Sequence, residues 1–265
     1  MILKNNVTHK TIVDAIEAIA QPQWQDGFDN TGWQTANPDD ITTGVLLCVD
    51  VTPEIVREAV LKNCNLIISH HPLLFHAVKS VIPQTGRVEK VLMELIRNGI
   101  SLYSCHTSID NAPAPYGVSY RIAEILGLEE ITPLTTAPGA GAKGTLPRPL
   151  TLRELAERVK ERLGAPCVRV SCKGGTADAR VSRIALCGGA GIDFIDDAIR
   201  SGAEVYICSD VKHNWLLDRR DSISLIEVGH YEAEKCTRDI FASILRDAPV
   251  PVLISETENN PVIYI

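Results

Sequence analysis

Asn65-Leu-Ile-Ile-Ser-His-His-Pro-Leu-Leu-Phe75 is the stretch from which the fold can be read. An apolar run of strand length stops at two adjacent histidines and a proline, which puts both imidazoles where a buried strand opens into a loop. Just upstream, Gly44 to Val51 reads as a strand and Pro53 to Lys62 as a helix, with Thr52 as its N-cap and Pro53 at the first helical position. Strand, helix and strand make a βαβ unit, and such units pair their strands in parallel. Ligands of open α/β sheets collect beyond the carboxyl ends of the strands. His70 and His71 stand at that end, and neutral imidazole is the commonest metal ligand.

Working outward, Val88 to Asn98 is a helix with Val88, Val91, Leu92 and Leu95 on one face, and Ile100 to Cys105 is a strand running into His106-Thr-Ser-Ile-Asp110. Toward the N-terminus, Thr11 to Ala20 places Ile12, Ala15, Ile16 and Ile19 on one helical face. The loop Gly27 to Gln34 follows, in which Asp29 and Asn30 reverse the chain and are candidates to meet a substrate. After Leu128 the composition changes: Thr132 to Pro149 is rich in Gly, Pro, Thr and Ala and reads as a connector. Its Gly139-Ala-Gly-Ala-Lys-Gly144 lacks the ending of a phosphate loop and reads as flexible. The expected division is a first α/β lobe, 1–131, carrying His70, His71 and Asp110, and a connector with a second α/β lobe, 132–265, carrying His230 and Glu234.

In the second lobe, Thr151 to Leu163 is an amphipathic helix with a capping box from Thr151 and Glu154. Cys167 to Cys172 and Arg183 to Cys187 are strands, and Gly188-Gly-Ala-Gly191 turns into a helix from Ile192 to Arg200. Strands Glu204 to Cys208 and Ile223 to Val228 lead to Gly229-His-Tyr-Glu-Ala-Glu234. A helix from Ala233 to Leu245 and a last strand, Val252 to Ile254 or Pro261 to Ile265, close the chain.

The two lobes echo one another. A shift of 139 positions lays Val45 to Ser69 on Ile184 to Cys208 without a gap, with Cys48 on Cys187 and Ala59 on Ala198. The first copy then runs through Ile100-Ser-Leu102 to His106-x-x-x-Asp110, and the second through Ile223-Ser-Leu225 to His230-x-x-x-Glu234. Each half thus delivers a histidine and a carboxylate four apart just beyond a strand. If each segment forms a helical turn, the two side chains share a face.

Twenty-six basic against 33 acidic residues give a net charge of -7, which disfavours sequence-independent binding to nucleic acid because that affinity comes from neutralising phosphates. None of the eight cysteines forms a C-x-x-C pair, and Cys48, Cys105, Cys187 and Cys208 lie in apolar runs, so they read as reduced core residues rather than zinc thiolates. The start lacks the apolar core of a signal peptide and no apolar run reaches membrane-spanning length, so a cytoplasmic protein with no membrane partner is expected.

Six of the seven histidines, His70, His71, His76, His106, His213 and His230, follow predicted strands. His70, His71, His230, Asp110 and Glu234 together offer three imidazoles and two carboxylates. A single metal with three protein ligands leaves a carboxylate over, whereas two metals sharing a bridging carboxylate use the whole set and keep positions for water. The donors suit Zn, Mn, Fe, Co or Ni.

Asp29-Asn-x-Gly32-x-Gln34, Val49-Asp50-x-Thr52, Ser69-His-His-Pro72, His106-Thr-x-x-Asp110, Gly188-Gly-Ala-Gly191, Asp210-Val-Lys-His213 and Gly229-His-Tyr-Glu-x-Glu234 occur in that order. In these segments the chain resembles the Nif-three-like family, also called GTP cyclohydrolase I type 2 homologues. The resemblance implies two similar, interlinked α/β lobes with a dinuclear metal site between them, and a toroidal homohexamer. The ligands it implies are His70, His71, Asp110, His230 and Glu234, with His106 nearby and His76, Lys212 and His213 lining the cavity. Asn214 stands where many relatives have a second histidine, Phe28 and Trp33 replace the more usual Trp and Leu, and the inserted central domain of longer relatives is missing. The expected activity is hydrolysis of a nucleotide-like, small phosphorylated or cyclic-amide substrate by metal-bound hydroxide, with His106 as general base. The alternative is a non-enzymatic metal-binding scaffold or metal-trafficking protein that contacts regulatory protein partners.

Overall fold

A computed structural model describes residues 7–136 and 138–265. In chain order the strands are β1 (Gly32–Thr35), β2 (Val45–Cys48), β3 (Leu66–Ser69), β4 (Ser101–Ser104), β5 (Glu129–Pro133), β6 (Ala142–Thr151), β7 (Val168–Ser171), β8 (Arg180–Leu186), β9 (Val205–Cys208), β10 (Ser224–Val228) and β11 (Val252–Ile254). They form two mixed sheets, the mixed α/β architecture expected. The chain divides into two units, each made from two stretches: residues up to Ile109 with Thr237–Asn259, and Asp110–Cys236 with Asn260–Ile265.

The first unit holds the sheet β1-β4-β3-β2-β11. β2, β3 and β4 are parallel, as the βαβ reading requires, and β1 runs antiparallel at the edge. Every residue of β2, β3 and β4 is buried, so these strands show no polar-apolar alternation, and β2 and most of β3 are continuous apolar runs. The helix Pro53–Leu61 starts as predicted, with the Thr52 hydroxyl accepting from Ile55 N–H. It packs Ile55, Val56 and Ala59 with Val91, Leu92 and Leu95 of the helix Arg87–Asn98 onto Leu46, Ile67 and Leu102. The last strand is Val252–Ile254, paired in parallel with β2.

The second unit holds the sheet β5-β6-β8-β9-β10-β7. β8, β9 and β10 are parallel, and β7 is antiparallel at the edge beside β10. The internal echo is now visible in the register. Val45 faces Leu66 in the first sheet and Ile184 faces Val205 in the second, both offset by the same 139 positions, while Ser101 and Ser224 face Leu66 and Val205. The core of this unit gathers Ala185, Ile195, Ala198, Tyr206 and Leu225. Cys48, Cys105, Cys187 and Cys208 are buried, as read.

Three elements differ from expectation. The stretch read as a connector, Thr132 to Pro149, contains the end of β5 and most of the ten-residue β6, and Lys143 and Gly144 of the supposed flexible loop pair with Ala185 and Ile184. Only Ala142, Leu146 and Leu150 of β6 are buried, a spacing of four that matches no strand template, and the register shifts between Thr145 and Leu150, around Pro147 and Pro149. The helix expected over Ala233–Leu245 is two helices, His230–Glu234 and Thr237–Ile244, so the first begins at the histidine itself. The segment after Gly191 opens with a 3-10 turn, Ile192–Phe194, before the helix Ile195–Arg200.

Candidate metal centre

In the first unit the strand ends build an imidazole cluster. The β3 ladder continues past Ser69, with His70 N–H donating to Cys48 O and His71 N–H to Val49 O. Ser69 and Ser104, the last residues of β3 and β4, donate their hydroxyls to His71 O at 2.9 and 3.3 Å. This fixes the turn that carries both histidines. His106 arrives one residue past Cys105, just before the short helix Thr107–Asp110. The ring centroids of His70, His71 and His106 lie 4.9 to 5.3 Å apart, and one donor atom from each comes within 4.8 Å of the others.

Each ring is oriented by an oxygen at Nδ1. His70 Nδ1–H donates to Cys105 O at 3.2 Å, His71 to Asp50 Oδ1 at 3.2 Å and His106 to Asp29 Oδ1 at 2.8 Å. These partners only accept, so the proton sits on Nδ1 and Nε2 is the basic nitrogen in all three rings. That is the arrangement metal-ligating histidines adopt. The Asp29 carboxylate is fully buried. Burial would raise its pKa, but hydrogen bonds from His106, Thr107 and Thr31 hold it well below the ordinary carboxylate range. Asn30 donates to Leu74 O at 2.8 Å, which ties this loop to the chain beyond His71.

In the second unit the helix His230–Glu234 puts its two named donors on one face, as the four-residue spacing predicts. His230 Nε2 lies 2.8 Å from Glu234 Oε2, and His230 Nδ1 lies 2.6 Å from Asp210 Oδ2. Burial would lower the His230 pKa, but the carboxylates of Asp210 and Glu234 outweigh it and raise it to about 10. In return, the hydrogen bond from His230 lowers the Asp210 carboxyl. A half-buried imidazolium clasped by two carboxylates marks a place built to hold positive charge. Asp210 has φ +55°, a left-handed conformation that aspartate tolerates. Gly189 lies at φ +66°, and a Cβ there would sit 2.0 Å from Glu234 Oε1. The Gly188–Gly191 turn is therefore a tight turn, as read, and its glycine makes room for Glu234.

Asp110 closes the turn Thr107–Asp110 and is partly buried. His76, Lys212 and His213 are exposed, and Lys212 sits at the N-cap of the helix His213–Arg219. Sequence reasoning gave no role to Asp50 and Asp210. Each lies two residues beyond a strand that ends in cysteine, Cys48 and Cys208, and that repeated placement is the signal that was available.

The model of the Duf34/NIF3 (NGG1p interacting factor 3) family matches residues 7–261. The chain belongs to this family. It is 29% identical to a GTP cyclohydrolase 1 type 2 homolog of Clostridium perfringens, over 96% of this chain and 98% of that one. It is 33% identical to a protein of the same name from Nostoc, over 89% and 90%. Among solved structures it is similar to a hypothetical protein of Staphylococcus aureus, with a TM-score of 0.91 and 26% identity over 98% of this chain and all of that one. A NIF3-related protein of Bacillus cereus has a TM-score of 0.90 at 21% identity over 98% and 99%, which is a likeness of fold. This Duf34/NIF3 chain has histidine groups suited to a metal ion, and no helix among its described residues is long and apolar enough to cross a membrane.

Proposed function

We propose that the chain holds a pair of divalent cations through His70, His71, Asp110, His230 and Glu234 and acts as a metal-dependent hydrolase on a nucleotide-like, small phosphorylated or cyclic-amide substrate. The observation that carries this reading is the cluster of three imidazoles whose Nδ1 atoms are each held by an oxygen. Nitrogen and carboxylate donors fit Zn, Mn, Fe, Co or Ni. The carboxylate clasp on His230 supports it independently, because a divalent cation replaces the proton's charge there. When bound, the cations supply Lewis acidity and lower the pKa of a water molecule.

The chain's own residues supply the rest. Asp29 keeps the His106 proton on Nδ1, so Nε2 can accept a proton from the attacking water, which makes His106 the general base. Asp50 and Asp210 hold His71 and His230 in place. The name carried by the Clostridium and Nostoc relatives favours a purine nucleotide or a similar cyclic amide. The working form is a toroidal homohexamer, as the resemblance to the family implies, and light scattering of the purified protein checks its mass.

Metal analysis followed by a hydrolase screen tests the proposal, comparing wild type with Asp110→Ala and Glu234→Ala. The expected result is a metal-loaded wild type that hydrolyses a phosphorylated or cyclic-amide substrate and two variants that do not. Full metal loading without activity on any substrate favours a metal-binding scaffold with protein partners. Activity retained in both variants contradicts the metal-dependent mechanism.

A further inference from the structure

Phe28 and Phe75 are 66% and 41% exposed, although phenylalanine is among the residues most often buried. They are not scattered. Their ring centroids lie 6.4 Å apart, and Phe75 lies 5.2 Å from His76 and 6.2 Å from His106. A run of rings therefore leads from the surface of the first unit to its imidazole cluster.

The residues beside each phenylalanine fix the pair. Asp29, next to Phe28, is bound to His106 and Thr107. Leu74, next to Phe75, accepts from Asn30 Nδ2 at 2.8 Å and donates its N–H to Gln34 Oε1 at 3.0 Å. The two loops that carry the rings are thus tied to one another and to the segment of His106. The rings are tilted 55° to one another instead of stacked, so neither covers the other's face.

We propose that Phe28 and Phe75 form the recognition wall for a planar aromatic or heteroaromatic ring of the substrate, held beside His106. The proposal rests on the reading of the imidazole cluster as the reaction site and names the chemical class of its ligand. Aromatic rings attract one another in offset and edge-on geometries without regard to the identity of the partner ring. Small-ligand sites combine apolar walls with a few placed polar groups, here His76 and His106. An adjoining copy of the chain would instead require a broad apolar face, whereas this pair has the polar Asp29, Asn30 and His76 beside it as well as Leu74.

Calorimetric binding of GMP and of ribose 5-phosphate to the full-length protein tests the wall. Wild type is compared with Phe28→Leu/Phe75→Leu and Phe28→Tyr/Phe75→Tyr, with metal content and oligomeric mass measured on each. Stacking of one base changes affinity by about 5- to 150-fold. The expected result is that wild type binds GMP at least tenfold more tightly than ribose 5-phosphate, the leucine pair loses that preference, and the tyrosine pair keeps it. The proposal is overturned if wild type binds no GMP or binds both probes equally, if the leucine pair keeps full GMP affinity, or if its main effect is on oligomeric mass. A metal-free protein whose GMP affinity still follows the rings would remove the metal reading and leave the wall. A metal-dependent hydrolase indifferent to the rings would do the reverse.

Discussion

The residues that orient the imidazoles govern the site as much as the imidazoles themselves. Asp50, Asp29 and Asp210 each accept from a histidine Nδ1, and losing such a partner costs metal affinity on the order of 10- to 100-fold. Asp50→Asn and Asp210→Asn should therefore weaken metal binding by that factor in a competition titration, with the fold retained. Gly189→Ala meets two penalties, a left-handed backbone and a collision with the Glu234 carboxylate. It should lower the melting temperature and the metal content together, while Gly27→Ala, where nothing lies within 4 Å of the added methyl, changes neither. The clasp on His230 gives a proton signature. Its pKa is raised from 6.5 to about 10, so in the metal-free chain these ion pairs contribute fully below pH 6.5 and fade as the pH rises through about 10. At pH 7.5 a cation binding there must displace the proton. Calorimetry of metal loading in buffers of different ionisation enthalpy should show about one proton released per chain, and His230→Ala should abolish it.

At the scale of elements, the site was legible where the chain follows a single period and hidden where it does not. The buried parallel strands, the Thr52 and Thr151 caps and the four-residue spacing of His230 and Glu234 each follow from local chemistry, and the structure has them. β6 was missed because its few buried residues and its two prolines imitate a loop. The break between Glu234 and Thr237 was missed because no glycine or proline marks it. Long-range caps leave no local pattern either. Glu58, on the helix Pro53–Leu61, accepts from the Ser255 and Thr257 hydroxyls, from the N–H of Glu256 and Thr257, and from Lys62, which anchors the chain just after β11. Burial opposes its charge, but these donors lower its pKa from 4.5 to about 2. Its contribution is fully present above about pH 4.5 and is lost as the pH falls toward 2. Glu58→Gln should destabilise by on the order of 2 kcal/mol at pH 7 in urea unfolding, and the difference from wild type should shrink at acid pH.

For the whole molecule, the repeated register of the parallel strands means that each unit presents donors at the same end of its sheet. The central proposal is that His70, His71, Asp110, His230 and Glu234 bind a pair of cations. Chelation of the loaded protein should then lower its melting temperature in a metal-dependent way, because a ligand of the folded state stabilises it by mass action. The most direct test is anomalous diffraction from crystals of the zinc-loaded protein. The account predicts two zinc peaks per chain, at about 2.0 to 2.2 Å from donor atoms of His70, His71, Asp110, His230 and Glu234. Peaks lying elsewhere, or none at all from protein grown and crystallised with the metal, would contradict it.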